Sequence, residues 1–205
     1  MLTSRTCAEA ARFFLEELYS ARDYRERDAQ FARIAGTVEA IFPARVADTA
    51  RLLADLHLLT ETLDDAVARA WLGQSPGEPV RGGAAIDAEA YVRAWRAADA
   101  GPARRQQLAY VLRLGDDLAR HTQTRGLRLL LRAMRGPAAL AGLGALQHFL
   151  ERGFDTFGDM ARTNGRAERF LQLVEQREAA FIHLMFDTPP VACETELRQT
   201  LGIAR

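Results

Sequence analysis

The chain has 205 residues, 48% of them hydrophobic and 26% charged, with 27 basic side chains against 27 acidic ones. That length suits one domain with a sizeable core, and the composition excludes a disordered chain. The balance of charge leaves no long-range field to draw nucleic acid or an anionic surface, so neither nucleic acid nor membrane is expected as a partner.

Every basic residue is arginine. Biased genome composition is the simpler cause, ahead of selection for the bidentate chemistry of arginine. Cys7 and Cys193 stand near opposite ends with no CxxC spacing. The N-terminal segment carries Glu9, Arg12, Glu16 and Glu17 where a signal peptide has an unbroken apolar centre, and no run approaches the ~18 apolar residues of a membrane span. A reducing, cytoplasmic setting fits this pattern.

Thr6-Cys7-Ala8-Glu9 has capping-box spacing, and a first helix is expected from there to Tyr19, with Phe13, Phe14 and Leu18 apolar. Asp28 can cap a second helix bearing Phe31, Ile34, Val38 and Ile41, closed before Pro43. Leu52, Leu56, Leu59 and Leu63 recur at helical spacing in a long third helix over about 44–72. The Gly- and Pro-rich run 73–83 reads as a mobile loop.

Ile86-Asp87 then predicts a staple and cap for a short helix with Tyr91 and Trp95, ending near Gly101-Pro102. A fifth helix runs to about His121, and a sixth ends at Arg135-Gly136. Pro137 suits the first turn of a seventh, which carries Leu143, Leu146, Leu150 and Phe157 on one stripe. Ala141, Gly144, Ala145 and His148 lie on its opposite side. With Gly142, Gly144 and Gly153 read as sites of close helix approach, burial on two sides is expected. A last long helix covers about 164–186, stopped by Thr188-Pro189-Pro190, and one or two amphipathic turns follow around Glu194 to Leu201. The fold class expected is therefore all-α: a single-domain bundle of seven to eight helices over 1–186, with a C-terminal tail over 187–205.

Each histidine has a carboxylate three or four residues away, namely His57 with Glu61, His121 with Asp117, His148 with Glu151, and His183 with Asp187. Such pairs meet on a helix, and they suit metal ligation or general-base chemistry as well as plain surface pairing. A di-iron bundle needs Glu-x-x-His, which is absent, and no complete ligand set can be read, so no metal and no cofactor is expected. No Gly-x-Ser-x-Gly elbow occurs, and Gly142-x-Gly144 follows no strand, which removes the reason to read a dinucleotide loop.

Phe13-Phe14-Leu15-Glu16-Glu17-Leu18-Tyr19 with Arg22-Asp23 and Arg27-Asp28 resembles the opening signature of a family of bacterial all-helical proteins without an established activity. The stretch Ala141 to Phe154, AGLGALQHFLERGF, resembles a second block of that family. The resemblance spans residues 10–186; it implies a helical bacterial protein and carries no activity onto these positions. The arginines of the first connection either lock it through ion pairs or offer forks to a carboxylate or phosphate.

Two functions fit these features. The first is a non-enzymatic helical domain that binds another protein or itself. The second is a bundle that binds a small molecule, metal or haem in an interhelical pocket, an enzyme in one version. Tyr19, Arg22, Arg27, His57, Glu61, His148 and Glu151 are the candidate ligand-binding residues, and no catalytic residue is assigned.

Overall fold

The computed structural model describes residues 8, 12, 16, 29–30, 44–74, 87–124, 126–162 and 165–200. Tyr19, Arg22 and Arg27, the cap at Asp28, the staple at Ile86 and the loop from residue 75 onward lie outside the described residues. All regular structure among the described residues is α-helical. The helices are α1 (Ala44–Gln74), α2 (Ala88–Ala97), α3 (Gly101–Thr122), α4 (Leu127–Ala133), α5 (Arg135–Leu140), α6 (Gly144–Ala161), α7 (Arg166–Asp187) and α8 (Pro190–Thr200).

The expected cap at Asp87 acts where the sequence places it, while those at Thr6 and Asp28 lie outside the described residues. The Asp87 carboxylate accepts from the Glu89 backbone N–H at 3.1 Å and opens α2. That helix ends at Asp99, whose φ of 46° is the left-handed turn that stops the ladder. Pro190 occupies the first position of α8, where its missing N–H costs nothing.

The seventh helix expected from Pro137 through Phe157 is instead two helices. Gly142 takes φ 67°, its N–H donates to the Ala139 carbonyl at 3.1 Å, and the Leu143 N–H reaches back to Ala138 at 2.7 Å. That bond pair is a Schellman closure with glycine at the left-handed position. Gly142 therefore ends α5 and does not sit inside a helix. The second expected buried side is absent as well: Ala141, Gly144, Ala145 and His148 are exposed, and a methyl on Gly144 would touch nothing within 4 Å.

The chain forms two compact units, each made of two stretches. The first is Met1–Ala54 with Leu112–Leu173, and the second is Asp55–Val111 with Val174–Arg205. In the first, α4, α5 and α6 pack on one another, and Leu127, Leu131 and Phe154 form a cluster joined by Val46, Leu130 and Leu150. Phe157 and Met160 of α6 are 1% and 0% exposed, and burying each contributes about 1.5–3 kcal/mol relative to leaving it in water. Of the three glycines read as packing sites Gly153 is buried, and a close helix approach that the sequence did not mark is at Gly115 of α3, where a methyl would overlap the Leu171 side chain of α7.

In the second unit α8 packs along α2. Cys193 and Leu197 join Ala88, Val92 and Met185 in one cluster, bordered by Tyr91, Trp95 and Phe181. The expected one or two turns are thus an eleven-residue helix with a buried side. The Arg96 guanidinium donates to the Thr188 carbonyl and fastens the α7–α8 corner to α2.

Candidate functional site

The candidate residues fall into different units. His148 and Glu151 belong to the first, on α6, and His57 and Glu61 belong to the second, on α1. The two groups are built differently.

On α6 the Glu151 carboxylate is gripped from α5 by Arg135. The Arg135 Nε donates to Oε1 at 2.7 Å, and one Nη closes the fork on Oε2. Gln147, one turn back on α6, donates to Oε1 at 2.8 Å and to the Leu131 carbonyl at the end of α4 at 2.7 Å. The Arg135 bonds hold the Glu151 pKa down at about 2, against the opposing pull of burial and with help from Gln147. A carboxylate so placed stays ionised near neutrality and is a poor proton carrier there. His148, its neighbour in the sequence pattern, is exposed. Glu151 is a brace between α5 and α6.

The sign of its pH dependence follows directly. A carboxylate with a depressed folded-state pKa contributes stability above its ordinary pKa, and that contribution fades as pH falls toward the folded value. The difference in urea midpoint between wild type and Glu151→Gln is expected to be full at pH 6 and to shrink between about 4.5 and 2. A difference that stays constant down to pH 2 would mean that the Arg135 fork does not form.

Beside this brace two residues far earlier in the chain reach α6. Glu16, from the FFLEELY block, accepts from Arg152 of the second block at 3.1 Å. Gln30 is 3% exposed, and its Oε1 accepts the Leu146 N–H in the first turn of α6 at 2.9 Å. The residue before α6, Leu143, supplies no side-chain cap, so Gln30 accepts from 116 positions away an N–H that a local cap side chain would otherwise take. Sequence reading missed Gln30, because capping is sought in the residues next to a helix.

In the second unit the centre is Arg104 of α3, which periodicity alone did not single out. Its side chain is 8% exposed, and one Nη meets Asp64 of α1 at 2.9 Å. The other donates to Gln107 at 3.1 Å, and Gln107 passes the connection to the Thr60 hydroxyl at 2.7 Å. The guanidinium carbon lies 4.5 Å from the centre of the Trp95 ring. Nε has no hydrogen-bond partner among the described residues, and the π face of Trp95 supplies the electrostatic contact in its place. Glu178 of α7 is half-buried; burial raises its pKa, and the charge of Arg104 draws it back. Around this centre Trp71, Tyr91, Trp95 and Phe181 form a chain of edge-on and tilted rings with centroids 5.4–6.1 Å apart.

His57 is half-buried on the same stretch of α1, and Glu61 is exposed. The other two histidine pairs differ. His183 Nδ1 lies 3.2 Å from Asp187, which Arg105 also holds at 2.7 Å. His121 instead lies 2.8 Å from the buried Thr49 hydroxyl, while Asp117 takes Arg120. The Thr49 proton goes to the Arg45 carbonyl at 3.0 Å, so Nε2 of His121 donates to the hydroxyl and does not act as its base. Burial pushes the Cys193 thiol up, against the pull of Arg96, so that it packs as a small apolar group beside the Met185 sulfur at 3.7 Å. No group of three or more His, Cys, Asp or Glu side chains among the described residues is placed to hold a metal ion.

A family model described as a domain of unknown function, DUF8198, matches residues 1–191. The chain belongs to that family. No curated protein and no solved structure matches it. In this DUF8198 member Glu16 of the first stretch meets Arg152 of the second, and Gln30, just beyond the first, caps Leu146. No helix among the described residues is long and apolar enough to cross a membrane.

Proposed function

We propose that this DUF8198 chain is a non-enzymatic helical domain that binds another protein or itself, working in the cytoplasm of a bacterium. The compartment rests on the pair of widely spaced cysteines, and the bacterial source on the resemblance of the two blocks. The binding role rests chiefly on the outer side of α4 and α5. Leu129 is 70% exposed and Leu140 93%. Across residues 135–145 only Arg135 is charged, and Gly136, Pro137, Ala139, Ala141, Gly142, Gly144 and Ala145 are all exposed beside Leu140. Single exposed leucines are ordinary, but an exposed segment this poor in charge is what interaction surfaces present.

The polar groups support the same reading. The Glu151, Arg104 and His121 groups are each engaged with neighbouring helices and act as ties within their units. In-cell crosslinking of the tagged full chain is the test. Wild type should recover a partner chain or a differently tagged second copy. Leu129→Ser/Leu140→Ser should lose at least about fivefold of that recovery while its melting temperature stays close to wild type, since exposed substitutions change stability by about 0.5 kcal/mol or less. Equal recovery by the two proteins would overturn the proposal.

A further inference from the structure

The outer side of α4 and α5 belongs to a longer stretch with an unusual charge pattern. Residues 118–150 contain no Asp or Glu, and they carry Arg120, Arg125, Arg128, Arg132 and Arg135. Several of these arginines find acids from outside the stretch, as Arg128 does with Asp155 at 2.8 Å and Arg135 with Glu151. Arg132 is exposed, enters no ion pair among the described residues, and lies one turn along α4 from Leu129 and Arg128.

The reverse pattern occurs on α1. Residues 52–68 contain no arginine and carry Asp55, Glu61, Asp64 and Asp65. Asp64 and Asp65 are taken by Arg104 and Arg69, whereas Asp55 and Glu61 enter no ion pair among the described residues. Asp55, Leu58, Glu61, Asp65 and Leu72 share one side of the helix by its 3.6-residue period. That side is exposed, with Leu58 at 68% and Leu72 at 58%. One chain thus presents leucines rimmed by arginine on α4–α5 and leucines rimmed by carboxylates on α1.

We propose that the occupant of the basic face is a second copy of this chain, whose acidic α1 face docks on α4 and α5. This rests on the reading of the chain as an interaction domain and names its partner. The leucines supply the burial: Leu129 and Leu140 on one copy, Leu58 and Leu72 on the other. The charged rim adds little affinity but selects the pairing, because like charges brought together across an interface are strongly unfavourable. The two faces differ, so the contact is heterologous.

Sedimentation equilibrium of the purified full chain, over about 1–100 μM in low salt, tests this, since a contact of a few leucine anchors with a polar rim belongs in that affinity range. Wild type should exceed the monomer mass within that window. Arg132→Glu and Glu61→Arg should each weaken association about tenfold or more, through like charges on the two faces. Mixing these two variants should restore association, because each then meets an oppositely charged face. Contacts between identical faces give a different result: a basic face meeting another basic face would make Glu61→Arg silent, and restoration on mixing would be lost. Either outcome overturns the proposal. So does a monomer at every concentration, and if crosslinking in cells still recovers another protein, that result leaves the interaction reading standing with a different partner.

Discussion

Replacing Arg104 by alanine is expected to cost about 2–4 kcal/mol of folding stability, the sum of two charge-assisted hydrogen bonds, a partly desolvated cation–π contact and the packing of a buried side chain. Asp64→Asn should cost less, about 1 kcal/mol or under, although it breaks the same ion pair. Asp64 is 64% exposed, so water replaces most of what it loses, whereas Arg104 at 8% has no such substitute. Arg104→Lys should behave more like alanine than like wild type, because an ammonium cannot span Asp64, Gln107 and the Trp95 face together. Urea denaturation followed by tryptophan emission reads both the stability and the Trp95 environment. Equal losses for Arg104→Ala and Asp64→Asn would show that the pair, and not the buried guanidinium, carries the stability.

The second large effect is expected at Gly115. Cγ and both methyls of Leu171 crowd the position a methyl would take, with Cδ1 at 3.1 Å and Cγ at 3.3 Å, so the whole Leu171 side chain has to move within a packed core. Gly115→Val should destabilise by about 2–3 kcal/mol, overpacking outweighing the fraction of a kilocalorie gained in helix propensity. Leu171→Ala alone should also destabilise, by about 2–5 kcal/mol, through the cavity it leaves. The double variant should lose at least about 1 kcal/mol less than the sum, since the valine fills part of the space the leucine vacates. Additive losses in chemical denaturation would mean that α3 and α7 do not approach at this point.

Helix existence was legible because each helix buries one stripe. Leu52, Leu56 and Leu63 announced α1, and Asp87 announced the start of α2. The break at Gly142 was not legible, because a glycine in an apolar run reads equally as a packing notch or as a left-handed stop, and only its φ decides. The crowded glycine, Gly115, sits between Leu114 and Asp116 with nothing local to mark it; the signal is Leu171, 56 positions away. The histidine pairs show the same limit. Spacing places Asp117 near His121, but the hydroxyl of Thr49 from α1 takes the imidazole and Arg120 takes the carboxylate. Helical spacing ranks the neighbours on one helix and says nothing of better partners arriving from another. Arg104 and Gln30 are the clearest cases, since each is an ordinary polar residue until distant elements close over it.

The two units are interleaved along the chain, with Met1–Ala54 completed by Leu112–Leu173 and Asp55–Val111 completed by Val174–Arg205. This ordering governs how the protein is made. A ribosome that has released the first 111 residues has delivered part of each unit and the whole of neither, so Gln30 is synthesised long before the α6 N–H that it caps. Leu58, Leu72 and the ring chain of Trp71, Tyr91 and Trp95 emerge while α7 and α8, which complete their unit, are still untranslated. The nascent chain therefore carries unburied aromatic surface until α7 and α8 follow, the condition under which chains engage chaperones or aggregate. For the same reason no single cut of the gene yields one unit by itself, free of part of the other. A stop codon after residue 173 removes α8 and most of α7 and leaves Val92 and Trp95 without their cover.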